Sequence, residues 1–138
     1  MAATWLNEGL ERALRLLLDF PAPVGLEFLR LYTVDVSLTP ALTIASFTEC
    51  TLAGYVEADL LAVAWTIAAA AGVGTADHDP VTFTFDPYGG GTTIYGWYVV
   101  DEAELIAFCA ERLAVPFAVP PSGGTLTLTP HITDRKLP

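Results

Sequence analysis

The chain has 138 residues, 53% hydrophobic and 16% charged, and its 16 acidic against 6 basic residues leave a formal net charge of −10. That length buries one good core and is short for two, the aromatic and β-branched content excludes intrinsic disorder, and the acidity opposes binding to nucleic-acid phosphates or an anionic membrane. So apolar a composition requires an unusually large core or a surface that meets a partner, with self-association the simplest case.

From Thr4 to Leu18, residues Leu6, Leu10, Ala13, Leu14 and Leu17 recur at helical spacing, and Thr4 stands as an N-cap, so an N-terminal α-helix is predicted over 4–18. Glu8–Arg12 and Glu11–Arg15 have the favourable i,i+4 order, and Pro21 and Pro23 stop the helix. Trp5, Leu16 and Leu18 widen its apolar face, which either crosses an open end of the β-domain or docks on a neighbour. Glu8 and Glu11 interrupt this first apolar stretch and no basic region precedes it, unlike a secretion signal, so cytoplasmic synthesis is expected.

Leu26–Val36 reads as the first strand, with Phe28, Arg30, Tyr32 and Val34 on one face and Leu29, Leu31 and Thr33 on the other. Ser37–Cys50, with Pro40 and many small or hydroxyl residues, reads as a long ordered loop of the kind that carries contacts. After a turn at Gly54, Tyr55–Ile67 is predicted as one long strand, although its alanines also suit a helix, and Ala68–Pro80 as a connection. The weakly polar run Leu60–Gly74 falls short of the ~20 residues of a membrane helix.

Val81–Phe85 alternates cleanly, and Asp86–Gly91 reads as the turn of a hairpin to a second strand, Thr92–Asp101. In that strand Ile94, Tyr98 and Val100 line one face and Tyr95, Trp97 and Val99 the other. Both faces are apolar, so a helix, loop or sister subunit must cover the side turned away from the core. Glu104–Leu113 suits a strand or a short helix. Thr125–Thr133 alternates Leu126, Leu128 and Ile132 with threonines and His131, and reads as a final strand with an edge or bulge at Pro130. The tail 134–138 is expected to fray. The expectation is a mainly β chain with one domain over 1–138: an antiparallel β-sandwich or jelly-roll-like fold over 26–133, preceded by the helix.

Asp77, His78 and Asp79, with Asp86 a strand away, crowd carboxylates around an imidazole, yet EF-hand spacing and a second histidine for zinc are missing. An exposed turn before Pro80 is the simpler reading. Gly89–Gly91 lacks the Lys-Ser/Thr of a phosphate loop and reads as a hairpin tip. Ser37, Ser46 and Ser122 have no nucleophile-elbow context with His78 or His131, and Cys50 and Cys109 have no basic neighbour to activate them, so buried free thiols are expected. Glu102 and Glu104 read as solvent contacts. Trp65, Trp97, Tyr88, Tyr95 and Tyr98 either stack as a sugar platform or belong to the core and interfaces. No cofactor, metal or catalytic residue is assigned.

In order along the chain stand Trp5-Leu6-Asn7-Glu8-Gly9-Leu10, the strand Leu29–Val34, Phe47-Thr48-Glu49 leading to Gly54-Tyr55, and Val81-Thr82-Phe83. Ile94-Tyr95-Gly96-Trp97-Tyr98-Val99 and Leu126-Thr127-Leu128-Thr129-Pro130 close the series. The whole resembles a group of small tailed-phage virion proteins encoded among head and tail genes. The resemblance implies a non-enzymatic, β-rich homo-oligomer added to a virion assembled in the host cytoplasm. Its expected partner is the major capsid protein or another virion protein, and it binds neither nucleic acid nor membrane. A capsid decoration or cement protein is the leading expectation, a tail, fibre or baseplate adhesin the second, and a small hydrolase the third. The expected interface residues are Trp5, Leu16, Leu18, Phe47, Tyr95, Trp97 and Val99.

Overall fold

The computed structural model describes residues 3–6, 27–60, 65–70, 73–101 and 106–135. In chain order these hold β1 (Thr4–Trp5), β2 (Glu27–Tyr32), β3 (Ala58–Asp59), β4 (Trp65–Ala70) and β5 (Val73–His78). They continue with β6 (Val81–Phe85), β7 (Thr93–Asp101), β8 (Ile106–Ala118), β9 (Gly124–Leu128) and β10 (His131–Arg135). The fold is mainly β, and every strand pairing is antiparallel. A 3-10 turn at Ile44–Ser46 is the one helical element among the described residues.

Three sheets result, ordered β1-β8-β7-β2-β3, β10-β5-β4 and β6-β9. β7 lies at the centre of the largest, and both its faces are buried. On one side Ile94, Trp97 and Val99 pack with Leu29, Leu31, Phe108 and Cys109 against Phe83, Phe85 and Leu128 of β6 and β9. On the other, Tyr98 and Val100 pack with Tyr32, Ala107, Ala110 and Leu6 beneath Phe47, with Leu38, Leu42 and Ile44 around them. The second face is therefore covered by the chain's own loop 37–50.

Two irregularities set which side chains face which way. Val99 pairs with Cys109 but Val100 with Ala107, so Phe108 is an extra residue and both it and Cys109 enter the first cluster. Between the pairs Ile94/Phe117 and Gly96/Arg112, β8 gains three more residues than β7. Ile94 accordingly joins Trp97 and Val99, correcting the simple alternation that grouped it with Tyr98 and Val100.

The expected helix is not supported at its start. Thr4 and Trp5 pair with Ala110 and Cys109, and the Leu6 amide donates to the Phe108 carbonyl at 2.9 Å. Satisfying the open edge of β8 outweighs local helical periodicity here, and the remainder of the expected helix, 7–18, lies outside the described residues. Tyr55–Ile67 is not one strand: only Ala58–Asp59 pairs with β2, and β4 begins at Trp65. The expected connection 68–80 contains β5, hairpinned to β4. The ambiguous segment from 104 resolves, where described, as strand.

The expected hairpin of β6 with β7 does not form either, because β6 pairs with β9 and β7 with β2 and β8. The expected last strand is divided at Thr129-Pro130 between two sheets. Val81 pairs with Leu128 and Asp77 with His131, so β5–β6 and β9–β10 run beside each other as one long ribbon interrupted at Pro80 and Pro130. Neither proline has an amide for the ladder, and both fall where the pairing changes register. The sandwich or jelly-roll expectation is not established by this three-sheet topology.

Gly96 is required by packing. A Cβ there would collide with the Glu111 carbonyl and with the Tyr32 ring hydroxyl, which crosses β7 to reach that carbonyl at 3.4 Å. Gly96→Ala should lower stability by about 2–4 kcal/mol, read as a lower denaturant midpoint at unchanged slope.

Candidate functional site

Two polar constellations merit functional scrutiny. The first is centred on Arg30, a lone cation in the apolar strand Glu27–Tyr32. Its Nε donates to Glu57 Oε2 at 2.5 Å and lies 3.6 Å from Glu49 Oε1. The Tyr55 hydroxyl donates to Glu49 at 3.2 Å and accepts the Leu31 amide at 3.1 Å, standing in for the strand neighbour that β2 lacks beyond β3. Further along the same edge the Cys50 amide donates to the Leu31 carbonyl and the Thr33 amide to the Thr48 carbonyl, each at 2.9 Å.

The network thus seals an open sheet edge and fastens residues 48–57 to it. Burial works against the Arg30 charge, but the Glu57 hydrogen bond and the Glu49 and Glu57 charges outweigh it and hold the guanidinium above its ordinary pKa. Burial, with Glu49 nearby, pushes the Tyr98 phenol up to about 12 despite Arg30. Burial raises Tyr55 as well, and moves Tyr32 up to about 12.

The second constellation lies across β5 and β10. His131 faces Asp77 in register, with Nδ1 2.5 Å from Asp77 Oδ1, and its Nε2 is 3.1 Å from Thr133 Oγ1. Carboxylate, imidazole and hydroxyl stand in the order that orients a general base towards an alcohol. The His131 and Asp77 side chains are 38% and 52% exposed, however, and catalysis of that kind needs excluded water and donors for an oxyanion. In the open the chain acts as a cross-strand staple, as the Thr82–Thr127 hydroxyl pair does at 2.8 Å on the neighbouring ribbon.

The expected residues are distributed as follows. Phe47, Trp97 and Val99 are buried in the chain's own two clusters, which corrects their expected place at an interface. Tyr95 is half-buried beside the second cluster, Trp5 lies in β1, and Leu16 and Leu18 are outside the described residues. Phe47 stacks on Tyr98 with ring centroids 4.6 Å apart and meets Tyr32 in a tilted contact at 5.3 Å. Trp97 and Tyr98 enter opposite faces of β7, so they build no shared sugar platform. Tyr88 points its hydroxyl at the Val119 carbonyl, 2.7 Å away.

The possible metal cluster does not converge, since strand alternation exposes Asp77 and Asp79 but buries His78 between them. Cys50 and Cys109 are free, buried thiols, both raised in pKa chiefly by burial. Sequence reasoning missed the Arg30 network and the Asp77–His131 pairing. An arginine within Glu27–Tyr32 was a sign of buried partners, and the matched prolines after Asp79 and Thr129 were a sign that the flanking strands pair.

No family model, curated protein or solved structure matches this chain.

The raised tyrosines give a stability window. A phenol whose folded pKa exceeds its unfolded value of about 10 favours the native state below that pH, and the contribution is lost as pH rises through the folded value. Stability should therefore fall between about pH 10 and 12, with Tyr32 and Tyr98 ionising as the chain unfolds, measurable as tyrosinate absorbance tracking the loss of β-sheet dichroism. His131→Ala, by contrast, should cost under about 1 kcal/mol in denaturant unfolding, the scale of an exposed pair.

Proposed function

We propose that this chain is a non-enzymatic structural protein of a phage particle, a capsid decoration or cement protein. It binds the major capsid protein on the assembled head and joins neighbouring capsomers. The observation that carries this reading is the architecture: antiparallel strands throughout the described residues, with charged and hydroxyl side chains engaged across strands and turned to structural use. The resemblance in the order of sequence features supports it, as does an acidic charge joined to a high apolar content.

In this reading β6 and β9, packed on the five-stranded sheet, form the second layer of a small β-sandwich. With Phe47, Trp97 and Val99 in the core, docking falls to surface apolar side chains. Val115 protrudes where β8 bulges away from β7 and is 80% exposed, while Val56 is 73% and Val34 49% exposed. A protein that binds only the assembled shell stabilises it by linkage, and homo-oligomerisation would multiply the contacts.

Purified protein should co-sediment with undecorated capsids to a saturating stoichiometry and raise their melting temperature. Val115→Asp should weaken that binding by about tenfold or more while leaving the free chain folded. Protein that stays in the supernatant at saturating concentration would sink the reading, and a positive glycan array would move it to a tail or fibre adhesin.

A further inference from the structure

The break in the long ribbon contains a reactive peptide bond. Asp79 precedes Pro80. In an Asp–Pro linkage the carboxyl oxygen can close a five-membered ring on the adjacent carbonyl carbon, and the departing group is the nitrogen of a tertiary amide. This chain adds a donor to the carbonyl: His78 Nδ1 lies 2.7 Å from the Asp79 carbonyl oxygen. A carbonyl only accepts, so the hydrogen bond assigns the proton to Nδ1 and aims it at the oxygen where negative charge develops.

The fold places the imidazole against the carbonyl and leaves the carboxyl in the open. His78 is buried at the end of β5, and its own amide donates to the Pro130 carbonyl at 2.9 Å. Asp79 is exposed between β5 and β6, where the main chain leaves one ladder before entering the next. The geometry points to self-cleavage of the chain at Asp79–Pro80, with the Asp79 carboxyl as nucleophile and His78 as the group that stabilises the oxyanion.

The carboxyl, in its acid form, adds an oxygen to the Asp79 carbonyl carbon. The bond from that carbon to the Pro80 nitrogen breaks, and the carboxyl proton passes to the departing nitrogen. One product is the cyclic anhydride of Asp79 and the other a free Pro80 amine. One water then opens the anhydride, leaving Asp79 as a C-terminal residue.

Asp86–Pro87 serves as an internal comparison, since the sequence repeats the same pair of residues there. The two histidines are engaged elsewhere, His78 with Asp79 and His131 with Asp77. The Asp86 carboxyl packs on Gly54, where a Cβ would come within 2.8 Å of Oδ1, and Gly123 lies against the peptide itself, where a Cβ would be 2.9 Å from the Asp86 carbonyl carbon. After scission at Asp79–Pro80 the two pieces remain interlocked, because β1, β2 and β5 of the first pair with β8, β7 and β10 of the second. What is lost is one of the two covalent links between the three-stranded sheet and the β6–β9 ribbon.

The test follows purified full-length protein in mildly acidic buffer with protease inhibitors, by denaturing intact-mass spectrometry. Fragments 1–79 and 80–138 should accumulate with first-order kinetics independent of protein concentration. Folded protein should be cut at Asp79–Pro80 about tenfold or more faster than at Asp86–Pro87, whereas denaturant should bring the two rates together. Asp79→Glu, an exposed substitution that keeps the charge but enlarges the ring, should remove the product, and His78→Phe should slow it on the order of a hundredfold. Equal cutting of both bonds in the folded chain, undiminished cutting in Asp79→Glu, or a chain that stays intact would overturn the assignment. The first comparison needs no variant, and none of these outcomes depends on capsid binding.

Discussion

A central strand that is apolar on both sides constrains everything else in this molecule. β7 places Ile94, Trp97 and Val99 in one cluster and Tyr98 and Val100 in the other, so two separate coverings are needed. The chain supplies both from distant segments. Phe83, Phe85 and Leu128 close one side and the loop carrying Phe47 closes the other. Each buried aromatic or aliphatic side chain contributes roughly 1.5–3 kcal/mol of transfer free energy, more than any single exposed ion pair here can supply.

Polar chemistry follows from that arrangement. Arg30 lies on β2 just beyond its short pairing with β3, where its carboxylate partners and Tyr55 complete the open edge. Asp77, His131 and Thr133 occupy the outer surface of a three-stranded sheet, with water on hand to compete for every contact. The first network gains from partial burial and the second does not. Reactivity is found instead at the ribbon break, where strand geometry aims a buried imidazole at the chain's own backbone.

The clear alternation at Val81–Phe85 and Leu126–Leu128 identified strands whose period-two pattern mirrors a buried and a wet face. Thr93–Asp101 was legible from its β-branched and aromatic residues, and so was its need for cover on both faces. Faces within it were not, because a bulge changes orientation without leaving a mark on local hydrophobicity. Val73–His78 was hidden by Gly74, Ala76 and Asp77, which carry little intrinsic strand preference and become a strand only through their neighbours β4 and β10. Of the candidate site residues, Phe47, Trp97 and Val99 were recognised as important apolar groups but assigned to the wrong side of the surface, since apolar character does not state whether the cover comes from the same chain or another.

Composition and short-range pattern alone determined the mainly β class, the strongest strands, the long contact-bearing loop and the acidic surface. These depend on side-chain chemistry and on periods of two or so residues. Tertiary structure decided that Thr4–Trp5 extends a sheet, that β6 joins β9 in preference to β7, and that Asp77 meets His131. Such pairings join residues dozens of positions apart, and their free energy comes from satisfying another strand's edge or covering another strand's face, which no local window contains.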